Sequence, residues 1–201
     1  MSKLKKLKHP LINIKLTVLR DKNTPSYQFR RTLQEIAGLM SFEVFNHIKF
    51  ESTQVETPLE TTEGSKLPKF LPCIVSILRA GNGLADAFSS IFPEAPIGHL
   101  GLQRNEENYK AEYYYEKLPS KIYKRQAILV DPMLATGGSS ILAASKLKEK
   151  KVKDIKLVCL VAAPEGIDNF HRAHKEIEII TASVDRKLDK NSYILPGLGD
   201  A

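Results

Sequence analysis

An acid followed by a run of small residues, within positions 131–140, could hold a phosphorylated sugar. Asp131 comes directly after the apolar run 127–130, and residues 136–140 are Thr, Gly, Gly, Ser and Ser. The backbone N–H groups of a glycine-rich turn at the start of a helix bind phosphate, because they point at the ligand and the helix dipole favours negative charge. A carboxylate beside them can accept hydrogen bonds from ribose hydroxyls. These residues therefore indicate a site for a ribose phosphate.

A simpler interpretation is a glycine-rich turn between a strand and a helix, with Ser139 as the helix N-cap. Asp131 favours the ligand site, because such a turn alone does not need an acid at the end of the strand. The segment lacks both the lysine of a P-loop and the spacing of G-x-G-x-x-G. A nucleoside triphosphate or a dinucleotide is therefore not the expected ligand.

Two arginines follow other apolar runs, and the first of them could bind an oxyanion. Arg79 follows residues 73–78 and stands beside Gly81 and Gly83, and Arg104 follows residues 96–102. A guanidinium group binds phosphate oxygens in a bidentate manner, and glycine leaves room for the ligand. Surface arginines are common, so each one alone is a weak signal. Together with the 135–139 loop, Arg79 is a candidate pyrophosphate clamp.

The elements that must position these groups can be read from hydrophobic periodicity. Strands are predicted at 73–78, 96–102, 127–130, 155–166 and 176–185, a long amphipathic helix from Ser26 to about Lys49, and a second helix at 139–151. Continuous apolar runs are typical of buried parallel strands, and open α/β sheets bind ligands at the carboxyl ends of their strands. Asp131 and Arg79 are therefore expected at one edge of a parallel sheet.

Three segments resemble known sequence motifs. Residues 131–139, D-P-M-L-A-T-G-G-S, resemble the phosphoribosyl pyrophosphate (PRPP) motif of type I phosphoribosyltransferases, in the form that the uracil phosphoribosyltransferase family has. Residues 77–81, ILRAG, and residues 193–201, Y-I-L-P-G-L-G-D-A, are similar to two further segments of that family. The chain departs from the pattern at Pro132, where most type I members have a second acid, at Asn82 in place of leucine, and at Gln103 in place of an aromatic residue.

The resemblance implies a single α/β domain with a mainly parallel sheet flanked by helices. It also implies a small hood built from residues 1–25 and 186–201. Residues 51–69 could form either a hairpin arm or a mobile loop, and the resemblance favours the arm, which the family uses in dimer contacts. The implied reaction converts uracil and PRPP to UMP and pyrophosphate.

The resemblance also assigns the site residues. The implied catalytic residues are Asp131, Arg79, Arg104 and Asp200. The implied PRPP-binding residues are Arg79, Arg104, Asp131, Pro132, Met133, Leu134, Ala135, Thr136, Gly137, Gly138, Ser139 and Asp200. The implied uracil-binding residues are Tyr193, Ile194, Gly199, Asp200 and Ala201. Mg²⁺ is expected to be held mainly by PRPP and not by protein side chains alone. A homo-oligomer and activation by GTP are further expectations.

Composition limits the classes of protein. The formal net charge of +7 suits either an anionic substrate or nucleic acid, and no apolar run approaches the ~20 residues that span a bilayer. The start of the chain lacks the apolar segment of a secretory signal, which favours the cytoplasm. Cys73 and Cys159 lie in apolar runs and are expected to be buried free thiols. His171 and His174 are expected at the surface.

Two alternatives to an active enzyme remain at this point. The family sequence continues beyond the position of Ala201, so a catalytically weak or dead homologue that binds uracil and PRPP is one alternative. The other is an RNA-binding regulator with the same fold. Clustered arginines with exposed aromatic side chains would favour RNA, and the sequence shows no such cluster, whereas Asp131, Arg79, Arg104 and the 135–139 loop favour an enzyme.

Overall fold

The computed structural model describes residues 3–104 and 111–199. The helices within these ranges are α1 (Pro10–Arg20), α2 (Ser26–Val44), α3 (Asn82–Ile91), α4 (Gly138–Glu149) and α5 (Pro164–Ala173), with a short 3₁₀ helix at Ile122–Lys124. The strands are β1 (Leu4–Lys6), β2 (Glu51–Glu56), β3 (Thr61–Lys66), β4 (Cys73–Leu78), β5 (Ile97–Arg104), β6 (Ala111–Lys117), β7 (Ala127–Val130), β8 (Met133–Leu134), β9 (Ile155–Ala162), β10 (Glu178–Val184), β11 (Lys187–Leu188) and β12 (Ile194–Leu195). None of these helices is long and apolar enough to cross a membrane.

The central sheet is mainly parallel and has helices on both faces, which confirms the predicted fold class. Its strand order is β1-β10-β9-β7-β4-β5-β6, with β8 paired to β9 and with β6 antiparallel to β5. Residues of β7 alternate between the two faces: Ile128 and Val130 pack with α1, α2 and α3, whereas Ala127 and Leu129 pack with α4 and α5. Because both faces are covered, the central strands are continuous apolar runs.

Helix α1 covers a stretch whose packing partner could not be inferred from the sequence. His9 caps it by accepting a hydrogen bond at Nδ1 from the Leu11 N–H (3.2 Å), and Pro10 occupies the first turn. Ile12, Leu16 and Leu19 recur at helical spacing and are buried in the cluster that contains α2. The alternating polar residues of this stretch therefore belong to an amphipathic helix.

Some predicted boundaries and one side chain differ in the structure. Helix α2 ends at Val44 instead of about Lys49, and the predicted 155–166 strand ends at Ala162 because Pro164 starts α5. His174 is buried and not at the surface: its Nε2 lies 3.1 Å from both Ser145 Oγ and the Ile141 carbonyl, and its Nδ1 lies 2.9 Å from Lys148 Nζ. These partners on α4 make His174 a polar contact between helices.

Residues 51–66 form an antiparallel hairpin that stands outside the central sheet. Strands β2 and β3 pair from Glu51 with Lys66 to Glu56 with Thr61. Most of its side chains are exposed, and Leu59 near the turn is 96% exposed.

The two cysteines, Cys73 and Cys159, are buried in the central sheet, and burial raises the pKa of each thiol to about 12. Both are therefore inert free thiols.

An ion pair connects the C-terminal segment to α1 and to the end of β10. Arg20 donates through Nη1 to Asp185 Oδ2 (2.8 Å) and to the Gly197 carbonyl (2.8 Å), and through Nη2 to Asp185 Oδ1 (2.7 Å). Asp185 also accepts from Ser183 Oγ (2.8 Å) and the Gly197 N–H (2.9 Å). Burial alone would raise the pKa of Asp185, but the hydrogen bonds from Arg20, Ser183 and Gly197 hold it below its usual range.

We expect Asp185→Asn to lower the free energy of unfolding by about 3 kcal/mol at neutral pH, because it leaves the Arg20 guanidinium partly buried without its counter-charge. Because the pKa of Asp185 is lower in the folded than in the unfolded protein, the ionised carboxylate stabilises the wild type at pH values above the unfolded pKa of about 3.9. This stabilisation is lost as the pH falls through the folded pKa. Urea unfolding at neutral pH and at about pH 3 measures both effects, with the exposed Asp86→Asn as the control. Equal losses for the two variants at neutral pH would contradict a stabilising role for the pair.

Candidate functional site

Asp131 and Arg79 lie at the carboxyl edge of the sheet, directly after the neighbouring parallel strands β7 and β4. A Cβ atom on Gly81 would lie 2.5 Å from the Val130 carbonyl oxygen and 2.6 Å from that of Ile77. Only glycine allows this approach, which brings the loop after β4 against the residue that precedes Asp131. The Arg79 side chain is exposed, so it is available to a ligand.

Asn82 supports the same loop from the first turn of α3. Its Oδ1 accepts a hydrogen bond from the hydroxyl of Ser76 (2.9 Å), which is fully buried on β4. The residue that replaces the family's leucine therefore satisfies a buried hydroxyl group. Without that partner, Ser76 would carry the cost of an unpaired polar group.

The 135–139 segment forms the start of α4 and presents backbone donors. Gly137 precedes the helix with φ +88°, a conformation that glycine adopts without strain, and no side chain caps the helix. The N–H groups of Gly138, Ser139 and Ser140 make no hydrogen bond with the described part of the chain. Thr136 and Gly138 are exposed and Ser139 is half-buried. Free N–H groups at the start of a helix are the groups that can bind an anion.

Helix α5 holds this loop in place, a contact that the sequence analysis missed. A Cβ atom on Gly166 would lie 2.2 Å from the Ala135 carbonyl oxygen, so the helix packs directly on the loop backbone. Asn169 donates from Nδ2 to the Thr136 carbonyl (3.1 Å), and Arg172 donates from Nη1 to Asn169 Oδ1 (3.1 Å). Gly166, which follows Pro164 and Glu165, could have indicated close packing from the sequence. No local pattern indicated that Asn169 contacts the loop.

Asp131 is half-buried, and little compensates the desolvation of its carboxyl group. Burial raises its pKa to about 7, and the only opposing contribution is a hydrogen bond from the Met133 N–H, at 3.5 Å from Oδ1. No cation forms an ion pair with it among the described residues. A group with this pKa at a strand end, beside an anion loop, is typical of a functional site.

Pro132 and Leu134 contribute backbone and not side chains to the loop. Both are buried, and the Pro132 carbonyl accepts hydrogen bonds from Leu160 N (3.0 Å) and Val161 N (3.2 Å) of β9. Met133 and Ala135 are half-buried. The position that carries a second acid in most type I members is thus occupied by a buried ring, and Asp131 is the acid of this segment.

The C-terminal segment contains the short antiparallel pair β11–β12, and the Leu188 N–H of β11 donates to Glu165 Oε1 of α5 (3.0 Å). Ile194 is buried and pairs with Leu188, Tyr193 is 46% exposed, and Gly199 is exposed with φ +81°. A Cβ atom on Gly197 would lie 2.2 Å from the Ile194 carbonyl oxygen, so this turn also requires glycine. Residues 196–199 border a cleft of about 390 Å³ whose other wall comes from α1 and the start of α2.

Three of the predicted site groups fall outside the described part of the structure. Asp200 and Ala201 lie outside the described residues, and Arg104 ends β5 but its side chain is not described. Within residues 3–104 and 111–199, no group of three or more His, Cys, Asp or Glu side chains is arranged to hold a metal ion. The described part of the candidate site is therefore one carboxyl group, one arginine and one helix start with free backbone N–H groups.

The chain is similar to several known proteins over nearly all of its length. A profile of the uracil phosphoribosyltransferase family matches residues 6–201. Proteins named uracil phosphoribosyltransferase from Dictyoglomus thermophilum (50% identity, 96% of this chain and 93% of the relative) and Campylobacter concisus (46% identity, 100% and 96%) are among its relatives.

Solved structures show the same fold. The AQ2163 protein of Aquifex aeolicus superposes with a TM-score of 0.89 at 35% identity over 98% of this chain and 94% of that one. The adenine phosphoribosyltransferase of Trypanosoma brucei was solved with AMP, pyrophosphate and ribose-5-phosphate. It has a TM-score of 0.63 at 10% identity over 96% of this chain and 88% of that one, which shows a shared fold only. With its fold, its loop motif and its full-length relatives in agreement, the chain belongs to the uracil phosphoribosyltransferase family.

Proposed function

We propose that the chain transfers the phosphoribosyl group of PRPP to uracil, forming UMP and pyrophosphate. The observation that carries this proposal is the uncapped start of α4 beside the Asp131 carboxyl group, at the edge where Arg79 is exposed. In this arrangement the start of α4 can bind one anion, the Asp131 carboxylate can accept hydrogen bonds from hydroxyl groups, and Arg79 can bind a second anion. PRPP presents a 5′-phosphate, two ribose hydroxyls and a pyrophosphate in the same order.

Cleavage of the bond between ribose C1 and pyrophosphate gives C1 oxocarbenium character. The protein therefore has to position two reactants and stabilise the charge of the leaving group, and it needs no covalent nucleophile. In this proposal residues 135–139 bind the 5′-phosphate, and Asp131 accepts hydrogen bonds from the ribose hydroxyls. Arg79 and Arg104 bind the pyrophosphate. Asp200 completes the PRPP contacts.

The raised pKa of Asp131 fits a group that acts when ligand is bound. A carboxyl group with a pKa of about 7 is partly protonated in the free protein at neutral pH. Two hydroxyl groups that donate to it favour the ionised form, because hydrogen bonds to a carboxylate stabilise its charge. Binding of the ribose then lowers the pKa of Asp131 and releases a proton from the site.

Mg²⁺ fits this donor set as an ion that arrives with PRPP. Mg²⁺ prefers phosphate oxygens and water and keeps few protein ligands, and the loop segment offers the single carboxylate of Asp131. When bound, the ion would neutralise charge on the leaving pyrophosphate. Asp131 would hold the ribose next to it, and Pro132 leaves no second carboxylate to compete.

The C-terminal segment is proposed to recognise the base. Tyr193, Ile194, Gly199, Asp200 and Ala201 would line the uracil, with backbone groups that complement its acceptor, donor and acceptor pattern. The ion pair of Arg20 with Asp185 supports this role, because it fixes Gly197 and so the turn that carries these residues. Residues 1–25 and 186–201 would together form the hood over the reactants.

Assembly, regulation and location are extensions of the same proposal. The exposed hairpin β2–β3 would act as an arm in a homo-oligomer, and GTP would act as an allosteric activator, as the family resemblance implies. Two buried free thiols suit the reducing cytoplasm, where we expect the reaction to take place.

Replacing Asp131 by asparagine should reduce activity and increase stability at once. The change removes a charged hydrogen-bond acceptor worth about 1.5–3 kcal/mol, which corresponds to a tenfold to hundredfold loss in kcat/KM. It also removes a carboxylate that is costly to ionise in the folded state. Since its folded pKa is raised to about 7, the penalty develops as pH rises from about 4 to 7.

Asp131→Asn should therefore be more stable than the wild type at pH 8, by about 1–2 kcal/mol after allowance for partial exposure, and should show no such gain near pH 4. UMP formation and urea unfolding at the two pH values measure these effects, with Asp86→Asn as the control. Wild-type kinetics in the folded variant would mean that Asp131 is structural.

Asn169 should affect the affinity for PRPP and not that for uracil. Asn169→Ala removes the hydrogen bond to the Thr136 carbonyl and loosens the 135–139 loop, so we expect KM for PRPP to rise about threefold to tenfold. KM for uracil should change less than about twofold. Initial rates with each substrate varied in turn measure this difference.

The control is Asn46→Ala, which removes an exposed hydrogen bond to Glu43 beyond the end of α2. Equal rises in KM for PRPP and uracil in Asn169→Ala would indicate a general loss of structure instead of a loosened loop.

The base site should select uracil strongly over cytosine. Cytosine reverses the donor and acceptor at two positions of the edge that the backbone would read, and this leaves buried polar groups unpaired. A site of that kind can reject an analogue by ~10⁴-fold or more. Measurement of kcat/KM for uracil, 5-fluorouracil and cytosine at saturating PRPP tests this, and comparable values for uracil and cytosine would exclude residues 193–201 as the base reader.

A further inference from the structure

The strand pair β11–β12 of the C-terminal segment is not part of the central sheet. It forms a two-stranded sheet of its own, whereas Asp131 and the 135–139 loop follow β7 of the central sheet. The hydrogen bonds of the central sheet therefore do not fix the distance between this pair and the loop. Transfer of a ribosyl group to a base needs both reactants in one geometry, and a misplacement of about 1 Å is costly. Contacts outside the sheet must set that distance.

Helix α5 contacts both the strand pair and the loop. Glu165 Oε1 accepts a hydrogen bond from the Leu188 N–H of β11 (3.0 Å), and Asn169 Nδ2 donates to the Thr136 carbonyl (3.1 Å). Residues four apart lie on the same face of a helix, so Glu165 and Asn169 share one face of α5. Gly166, between them, packs directly on the loop backbone. Little more than one helical turn thus joins the C-terminal segment to the loop.

The contact of Glu165 lies next to residues that are proposed to bind the base. Leu188 pairs with Ile194 across β11–β12. The adjacent Asp189 N–H closes the pair by donating to the Tyr193 carbonyl (2.8 Å), whereas the Leu188 N–H donates to α5. Because Tyr193 and Ile194 belong to the proposed uracil site, a shift of Leu188 would move the groups that bind uracil.

The Glu165 carboxylate is well placed to accept this hydrogen bond. Glu165 lies in the first turn of α5, where the helix dipole stabilises negative charge. Its side chain is exposed, and hydrogen bonds from the Leu188 N–H and from its own N–H hold its pKa below the usual range. The carboxylate is therefore ionised at neutral pH. Its hydrogen bond with Leu188 is charge-assisted, and such bonds are stronger than those between neutral groups.

We infer that Glu165 is a positioning residue for the base, because it holds β11–β12 at a fixed distance from the 135–139 loop through Leu188. This inference rests on the proposed function and adds a residue that acts on one of the two substrates. Asn169 orients the loop that binds PRPP, and Glu165, one turn earlier on the same helix face, orients the segment that binds uracil. A contact that only stabilised the fold would affect both substrates alike.

The test compares Glu165→Ala, which removes the acceptor, with Glu165→Gln, which keeps an acceptor oxygen without the charge. We expect Glu165→Ala to raise KM for uracil about threefold to tenfold and to change KM for PRPP less than about twofold, the reverse of Asn169→Ala. Glu165→Gln should restore KM for uracil to within about twofold of the wild type. Asp168→Ala, which removes an exposed carboxylate from the same helix, is the control and should leave both values within about twofold.

Hydrogen exchange at the Leu188 amide measures the same contact without turnover. It should be about tenfold faster in Glu165→Ala and within about twofold of the wild type in Asp168→Ala. Unchanged exchange at Leu188, wild-type KM for uracil, or equal rises in both KM values in Glu165→Ala would overturn the inference and leave the transferase reaction standing. A wild type that forms no UMP would refute the reaction and the inference together.

Discussion

The site depends on two places where two segments of backbone approach so closely that a side chain would not fit between them. Gly81 lies against the carbonyl oxygens of Val130 and Ile77, and Gly166 lies against those of Ala135 and Leu134. The first contact sets the distance between the Arg79 loop and the strand that carries Asp131. The second packs α5 against the 135–139 loop. A Cβ atom at either position would force these segments of backbone apart.

Two aspartates at strand ends show how the same residue type serves opposite purposes. Asp131 and Asp185 follow β7 and β10, but burial raises the pKa of Asp131, whereas donors from Arg20, Ser183 and Gly197 outweigh burial and lower the pKa of Asp185. Asp185 is therefore a permanent charge that fixes the C-terminal turn. Asp131 is left without a fixed partner, which is the state that a ligand can change.

The sequence predicted the parts of this structure that local patterns control. Continuous apolar runs located β4, β7 and β9, and the spacing of small residues after Asp131 located the start of α4, so the fold class and the family prediction are confirmed. Contacts between distant segments could not be predicted. Arg20 and Asp185 are 165 residues apart, and Asn169 reaches Thr136 from another helix. His174 was wrongly assigned to the surface because its partners lie on α4.

The missing N-cap of α4 has a consequence for local stability. Helices usually satisfy their first N–H groups with a side chain, and here Gly137 supplies none. The first turn of α4 is therefore a weak point of the native fold, and a bound phosphate would act as its cap. If the proposed phosphate ligand binds there, its binding and the completion of this helix are one coupled event. Amide hydrogen exchange at residues 138–140 would then report occupancy of the site directly, with slow exchange only while the phosphate is bound.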